Sequence, residues 1–321
     1  MKRKQRACQI LAVLLVSTTG LCVAASAYPT KPIRVIIPWA PGGGTDVTTR
    51  FIAVELDKQL KQRVIIDNRS GAGGIVGMQL AAQAPADGYT MMVTSTAYGY
   101  LLQKTDVDLV KSFDPVVMFG TSGAALVVNP SLPVKSVKEL IALAKSRPGA
   151  LNYASSGVGG FPHMNTELFK LMAGVDLVHV PFKGAGDAIP DVIAGNTQLL
   201  ISSVPGLLPH INSGRLRVLG TGGTKRDPTL PNVPTISEAG VPGYETYIWF
   251  GMFAPKGTPA DTIGKVHAAT TAVLKSPQIL SKFEEQGIMP VQMGSTEFGK
   301  LMVTETAKWM KVIKAANIKT E

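Results

Sequence analysis

The chain has 321 residues, of which 17% are charged, and a formal net charge of +10. Its basic residues form no long run and do not alternate with aromatic residues, which argues against a nucleic acid as partner. Both cysteines, Cys8 and Cys22, lie in the first 27 residues, which excludes a disulfide or a cysteine metal site in the rest of the chain.

The N-terminus has the pattern of a secretory signal peptide. The first six residues contain four basic side chains and no acidic one, an apolar stretch spans 10–23, and an Ala-x-Ala motif ends at Ala27. The apolar stretch is too short to span a membrane comfortably, and a large residue precedes Cys22 where a lipoprotein signal needs a small one. We expect cleavage after Ala27 and export to the periplasm. The exported chain then has 294 residues (321 less 27), starts at Tyr28, and carries a net charge of +6 (+10 less four).

A glycine-rich turn follows the first predicted strand, 33–37. The segment 38–46, PWAPGGGTD, leads into a predicted helix with Val47, Phe51 and Val54 on one face. Glycines at such a turn let backbone amides approach a ligand, and a helix N-terminus offers unpaired N–H donors and partial positive charge. The turn is therefore a candidate anion site, with an ordinary loop capped by a side chain as the alternative. The candidate ligand residues in it are Trp39, Pro41, Gly42, Gly43, Thr45 and Asp46.

Three further loops of the same kind lie between predicted strands and helices, at 68–74, 153–160 and 181–187. Because ligands in α/β sheets bind at the carboxyl ends of strands, we expect the four loops to line one cleft. Helix N-termini from two sides would hold an anion with carboxylates at both ends. The further candidate ligand residues are Gly71, Ala72, Ser95, Thr96, Ser155, Ser156, Gly157, Gly159, Gly160, His163, Lys183, Asp187 and Ser203.

Strand and helix patterns alternate along the chain, which predicts an α/β fold with mostly parallel sheets and flanking helices. Strands are predicted at 33–37, 63–67, 89–95, 125–129, 177–180, 198–202, 217–221 and 247–254. Further helices are predicted near 75–84, 136–147, 163–173, 185–194, 206–213, 259–275 and 295–316. We expect two lobes, lobe 1 (28–122 with 251–321) and lobe 2 (123–250), with crossings near 120–126 and 246–253.

The sequence contains none of the familiar catalytic or cofactor motifs. It has no H-E-x-x-H pair, no phosphate-binding G-x-x-x-x-G-K-[ST], no G-x-G-x-x-G and no G-x-S-x-G. We therefore expect no metal, no cofactor and no enzyme activity. Ser155 and Ser156 have no nearby cue for an activating base. For His163 and Lys183 a structural or solvated role is the alternative to ligand contact, and the two loop aspartates could cap helices or bind a ligand amine or water.

Six ordered motifs cover nearly all of the chain after the signal. They are PWAPGGGTD at 38–46, NRSGAGG with PADGYT at 68–90, ALNYASSGVGGFPH at 150–163, VPFKGAGDAIPDVIAG at 180–195, LPNVPTISEAGVPGYE at 230–245 and APKGTPAD at 254–261. They resemble the Bug-type, TctC-like extracytoplasmic solute receptors, the binding components of tripartite tricarboxylate transporters. The resemblance implies a two-lobed flytrap fold. It also implies a monomer that captures a small di-, tri- or aromatic carboxylate for membrane transporter subunits.

The resemblance also implies roles for particular residues. Trp39 resembles the family's aromatic residue before the PGG turn, and 42–46 and 155–160 resemble its two carboxylate loops. The chain departs from the family at Ile75, Phe182, Gly160 and the pair Ser202-Ser203, where Asn, Tyr, a hydroxyl residue and an Asp are common. These changes remove polar groups and favour a ligand with an apolar or aromatic body over an amino acid.

Two other functions fit the same sequence. One is a receptor that signals ligand binding to a two-component system, which would share the fold and differ in its partner. The other is a cryptic cleft hydrolase, which would need a base beside Ser155 or Ser156.

Overall fold

The structure is a computed structural model that describes residues 28–96, 101, 105–315 and 317–318. The predicted signal peptide lies outside the described residues, and residues 31 onward form one compact unit. No described helix has both the length and the apolar character needed to cross a membrane.

Strands and helices alternate through the described residues, and each predicted element is present within a few residues of its expected bounds, except that the strand predicted at 125–129 begins at Phe113. The strands are β1 Ile33–Ile37, β2 Val64–Asn68, β3 Thr90–Ser95, β4 Phe113–Val128, β5 Asn152–Ser155, β6 Val178–Pro181, β7 Leu199–Ser203, β8 Arg217–Thr221, β9 Tyr247–Pro255 and β10 Ile288–Gly294. The helices are α1 Gly44–Leu60, α2 Ile75–Ala82, α3 Val137–Ser146, α4 Phe161–Ala173, α5 Ala185–Ala194, α6 Val204–Asn212, α7 Ala260–Leu274, α8 Pro277–Glu285 and α9 Ser295–Ala315.

The strands form a mixed sheet in the order β2-β1-β3-β9-β4-β7-β5-β6, with β10 and β8 also paired to β4. The outer strands are parallel, as predicted: β1 pairs with β2 and β3, and β5 pairs with β6 and β7. The prediction of mostly parallel sheets is wrong for the centre, where β3, β9, β4, β10, β7 and β8 pair antiparallel. The long strand β9 runs back along β4 after the chain has passed through β5–β8 and their helices, so the two strands pair antiparallel.

One strand, β4, belongs to both parts of the sheet. Its residues from Phe113 to Gly123 pair with β9, and those from Ala124 to Val128 pair with β7 and β8. Tyr247, the first residue of β9, lies opposite Gly123. The change of partners therefore falls inside the predicted crossing at 120–126, and the chain joins the first part of the sheet again at the start of β9.

Each part of the sheet has its own apolar core. In the first, aromatic rings from β9 and α9 pack edge to face, with 5.5 Å between the ring centroids of Trp249 and Phe298. In the second, Val127, Leu200 and Leu207 pack with the helices on both sides of the sheet. Full burial of such side chains stabilises the fold by roughly 1.5–3 kcal/mol each. Two separate cores fit the two-lobed α/β architecture that the sequence predicts.

The predicted buried face of α1 is wrong. Val54 is 59% exposed, whereas Thr48, Ile52 and Leu56 are buried. The hydroxyls of this helix are accommodated because Thr48 and Thr49 donate to the carbonyl oxygens of the residues four positions earlier. The spacing of apolar residues did not identify the buried face, because three of the eight buried residues of α1 are threonines.

Candidate functional site

The carboxyl ends of the strands and the turns after them enclose a small cleft. Its cavity volume is about 30 Å³, above the roughly 10–15 Å³ that a cavity needs to hold a water molecule. The cleft is lined by Trp39, Gly43, Gly44, Thr45, Asp46, Ser95, Ser156, Phe161, Pro162, Ala185, Ser202, Ser203 and Ile248. These residues come from both predicted lobes.

Among the described residues, four helices begin at this cleft, and none has a side-chain cap at its N-terminus. These helices are α1, α4, α5 and α6, which start at Gly44, Phe161, Ala185 and Val204. Their N-cap residues are Gly43, Gly160, Gly184 and Ser203, and none of them makes a side-chain capping hydrogen bond. An uncapped N-terminus leaves backbone N–H groups without an intrahelical acceptor and carries a partial positive charge. The cleft is thus surrounded by donors suited to an anion.

The partial positive charge at the cleft comes from backbone N–H groups at the helix N-termini, not from basic side chains. No lysine or arginine lines it within the described part of the chain, and its single ionisable lining residue is Asp46. The Asp46 carboxylate is 3% exposed and accepts from Gly42 N (3.0 Å), Asn68 Nδ2 (3.0 Å) and Arg50 Nε (2.9 Å). The hydrogen bond to Asp46 and the charge of that carboxylate raise the pKa of Arg50 above its usual value. Asp46 therefore anchors the turn 38–46 from the third helical position, much like the acid of a capping box.

Trp39 forms one wall of the cleft and has a free donor. The indole is 6% exposed, and its Nε1 has no hydrogen-bond partner among the described residues. The ring lies against Gly74, where a Cβ atom would be 2.8 Å from the ring carbon Cη2. On the neighbouring side, Thr45 Oγ1 donates to Ser95 Oγ at 2.9 Å. A buried N–H without an acceptor is costly, so a ligand oxygen that accepts from it would be favoured.

The second glycine loop, 155–160, is fixed by two histidines. Ser155 Oγ lies 2.5 Å from His179 Nε2 and accepts from Gly157 N at 3.0 Å. The amide of Gly159 donates to His163 Nδ1 at 3.0 Å. The loop that precedes α4 is therefore held by side chains behind it, and its hydroxyl at Ser155 does not line the cleft.

The two histidines are stacked and uncharged. The ring centroids of His163 and His179 are 4.2 Å apart, and Tyr153 stacks on His179 at 4.9 Å. Burial lowers the pKa of His163 to about 4 and that of His179 to about 3, and the positive charge of Lys170 adds to both shifts. Both rings are therefore neutral at physiological pH and act as hydrogen-bond partners of the loop.

The loops of the two predicted lobes touch across the cleft through glycines. The amide of Ala40 donates to the carbonyl of Lys183 at 3.3 Å. A Cβ at Gly184 would lie 2.5 Å from the amide nitrogen of Ala40, and one at Gly157 would lie 3.1 Å from the Cα of Gly73. These contacts leave no room for side chains, so the structure is in a closed arrangement.

Seven of the predicted ligand residues line the cleft: Trp39, Gly43, Thr45, Asp46, Ser95, Ser156 and Ser203. The other candidates do not line the cleft. Pro41, Gly42, Gly71 and Ala72 belong to the lobe 1 turns, and Thr96 accepts from Trp249 N. Ser155, Gly157, Gly159 and Gly160 belong to the second loop, His163 bonds to that loop from α4, and Lys183 and Asp187 are exposed. Of the family departures, Ser202 and Ser203 line the cleft, whereas Ile75, Gly160 and Phe182 do not.

Six lining residues were not among the candidate ligand residues: Gly44, Phe161, Pro162, Ala185, Ser202 and Ile248. Gly44 and Ala185 lie inside predicted glycine loops, Phe161 and Pro162 directly follow one, and Ser202 precedes the candidate Ser203, so the start of each helix was the available signal. Ile248 follows no such loop, since β9 brings it to the cleft through antiparallel pairing with β4.

Two α/β lobes around a cleft lined by helix N-termini define a bilobal binding protein. A model of the tripartite tricarboxylate transporter family receptor, TctC, matches residues 48–318. BugT of Bordetella pertussis is 35% identical over 320 residues, which cover 97% of this chain and 98% of BugT. The chain therefore belongs to the TctC receptor family, whose members include Bug proteins and which is a solute-binding family.

Two solved structures extend the similarity to the fold. Rpa4515 of R. palustris, solved with adipate, is 37% identical with a TM-score of 0.88, and the match covers 91% of this chain and 99% of that one. MatC (Rpa3494) from Rhodopseudomonas palustris, solved with bound malate, is 29% identical with a TM-score of 0.85 and coverages of 89% and 100%. The two-lobed fold predicted from the sequence is confirmed.

Proposed function

We propose that this protein is a periplasmic receptor that captures a small dicarboxylate in the cleft and delivers it to membrane transporter subunits. The observation that carries the proposal is the convergence of four uncapped helix N-termini on a cleft with no lining lysine or arginine among the described residues. Backbone amides at opposite sides suit carboxylates at two ends of one molecule. Related receptors solved with adipate and malate support a dicarboxylate.

The walls of the cleft favour a ligand with an apolar spacer. Phe161, Pro162 and Ile248 supply apolar surface, and uncharged serines stand at 202 and 203. The remaining acid, Asp46, is neutralised by Arg50, so the cleft lacks a free carboxylate for a ligand ammonium group. An amino acid is therefore disfavoured, and a chain such as that of adipate fits the chemistry better.

Calorimetric titration of the purified protein with adipate, malate, citrate and benzoate tests this proposal. We expect adipate or malate to bind with the highest affinity, and Gly43→Val to abolish binding because its side chain would fill the space beside Ala185. The matched control is Gly264→Val in α7, where a new side chain meets no atom within 4 Å. Binding that survives Gly43→Val unchanged would place the ligand elsewhere.

A cleft hydrolase is the alternative function, because His179 beside Ser155 is the kind of base that such an enzyme would need. Ser155 is fully buried, and its oxygen is already engaged by His179 and Gly157 N. We propose that the pair is structural and that the protein is not an enzyme. Hydrolysis of p-nitrophenyl acetate that is saturable and lost in Ser155→Ala would contradict this.

A further inference from the structure

A separate cavity, of about 270 Å³, lies beside Gly123, the residue of β4 next to the point where that strand changes partners. It shares no lining residue with the cleft. Its walls come from Gly123 of β4, from the turn at 227–228, and from the segment 280–290 that contains the end of α8 and the start of β10. The volume approaches that of ordinary small-molecule sites, which start near about 300 Å³.

A buried carboxylate with an unused oxygen faces this cavity. Asp227 is 8% exposed, and its Oδ1 accepts from Thr229 N at 2.9 Å and Thr229 Oγ1 at 2.6 Å. Its Oδ2 has no hydrogen-bond partner among the described residues. Glycines flank the carboxylate, since a Cβ at Gly123 would lie 3.1 Å from Oδ2 and one at Gly287 would lie 3.3 Å from Oδ1. A side chain at either position would fill the space next to the Asp227 carboxylate, and glycine leaves that space open.

The cavity is acidic and apolar at once. Glu284 of α8 is a second acid in its wall and has no ion pair in the described part of the chain. Lys225 and Arg226 line an adjoining hollow that shares Asp227, where Arg226 pairs with Glu238 at 3.2 Å, but no lysine, arginine or histidine among the described residues lines this cavity itself. Leu280 is 41% exposed and Met289 is 60% exposed beside it. A buried carboxylate is stabilised by a cation that hydrogen-bonds to it, and exposed apolar side chains are stabilised by contact with an alkyl group.

We propose that this cavity binds a small organic ammonium compound with a short alkyl body. The ammonium group donates to Asp227 Oδ2 and is attracted by Glu284, and the alkyl group packs on Leu280 and Met289. An ammonium group fits better than an anion because both ionisable residues of the wall are acids. This site takes a ligand of the opposite charge to that of the cleft and goes beyond the proposed function.

Calorimetric titration of the purified protein with n-hexylammonium tests the proposal, with 1-hexanol and hexanoate as the neutral and anionic controls. We expect saturable binding of hexylammonium alone. Asp227→Asn keeps an oxygen for Thr229 and should weaken binding about tenfold or more, because a charge-assisted hydrogen bond is lost. Glu284→Gln should weaken it about threefold.

The matched control is Glu285→Gln, because Glu285 is the next residue of α8, pairs with Lys282 at 3.0 Å and does not line the cavity. It should bind hexylammonium as the unmodified protein does. The proposal is overturned if hexanol binds as well as hexylammonium, or if Glu284→Gln has no larger effect than Glu285→Gln. The second criterion stands even if Asp227→Asn fails to fold.

Discussion

Single glycines decide how closely the two lobes approach. A Cβ at Gly186, in the first turn of α5, would overlap the carbonyl oxygen of Pro41, and one at Gly44 would overlap the hydroxyl of Ser203. Each contact joins a residue of predicted lobe 1 to one of predicted lobe 2. Several glycines of the four loops therefore have a steric role in closure besides exposing amides to a ligand.

We expect Gly186→Ala to weaken dicarboxylate binding by about tenfold, because the methyl group holds Pro41 and the lobe 1 turn away from α5. The free energy of unfolding should change little, since alanine is a better helix residue than glycine. Calorimetric titration and thermal denaturation measure the two quantities. The control is Gly264→Ala, which adds the same methyl group where no atom lies within 4 Å. Equal ligand affinity in both variants would mean that the contact at Gly186 has no part in the bound state.

At the scale of elements, α4 and its histidine stack join the fold to the site. His163 lies in the first turn of α4 and accepts from the amide of Gly159, so the orientation of the second loop depends on a neutral ring. Protonation of Nδ1 removes the acceptor for that amide. Acid should therefore loosen the loop and destabilise the fold together.

The sign of the pH effect follows from the lowered pKa of His163. Burial disfavours the charged ring and lowers its pKa from 6.5 to about 4, so between these values the unfolded chain binds a proton that the folded chain does not. The free energy of unfolding should fall as pH decreases below about 6.5, by about 1 kcal/mol per pH unit from this residue. Denaturant unfolding measures how the free energy of unfolding changes with pH. Between about pH 6.5 and 5 most carboxylates do not titrate, so they add little to the slope in this range.

The variant His163→Gln should reduce that slope by the share of His163, because glutamine does not titrate, and should leave the share of His179, whose pKa is also lowered by burial. The control is Phe169→Leu, a buried residue of the same helix, which should lower stability at every pH and keep the unmodified slope. A slope in His163→Gln equal to that of the unmodified protein would remove His163 as its source.

The elements with strong local signals were predicted, and those that depend on distant contacts were not. The first part of β4 was missed because Pro115, Gly120 and Gly123 interrupt its apolar pattern, although pairing with β9 and β10 holds it extended. The helix α8 and the strand β10 were missed as well; β10 has exposed residues on both faces and lies beside β4.

The candidate site divides in the same way. The glycine loops are local features, so five of the seven predicted lining residues follow from them, and Ser95 and Ser203 follow from the carboxyl ends of β3 and β7. The contact between Ser155 and His179 joins residues 24 positions apart, and Gly74 supports Trp39 from another loop. Such pairs are set by how β5, β6 and the turns pack, and no short motif contains both partners.

At the scale of the whole molecule, closure brings four partial positive charges together. The start of α1 lies against the start of α6, where a Cβ at Gly206 would be 3.0 Å from the amide nitrogen of Gly44. A negative charge at a helix N-terminus is stabilised by about 0.3–1 kcal/mol. An anion bound where several N-termini meet would therefore stabilise the closed arrangement through each of these helices. We infer that the lobes open without ligand, by bending where β4 changes partners and where the chain enters β9.

Small-angle X-ray scattering of the protein with and without adipate tests this motion. The loops of the two predicted lobes touch across the closed cleft, so we expect that a dicarboxylate can enter only after the lobes separate. We expect a larger radius of gyration without ligand and a smaller one at saturation, where donors from both lobes bind one molecule and exclude water. Gly186→Ala should keep the larger radius at a ligand concentration that closes the unmodified protein, whereas Gly264→Ala should close normally. An unchanged radius in a sample shown by calorimetry to be saturated would mean that the site is preformed, and that membrane subunits distinguish the loaded receptor by some feature other than closure.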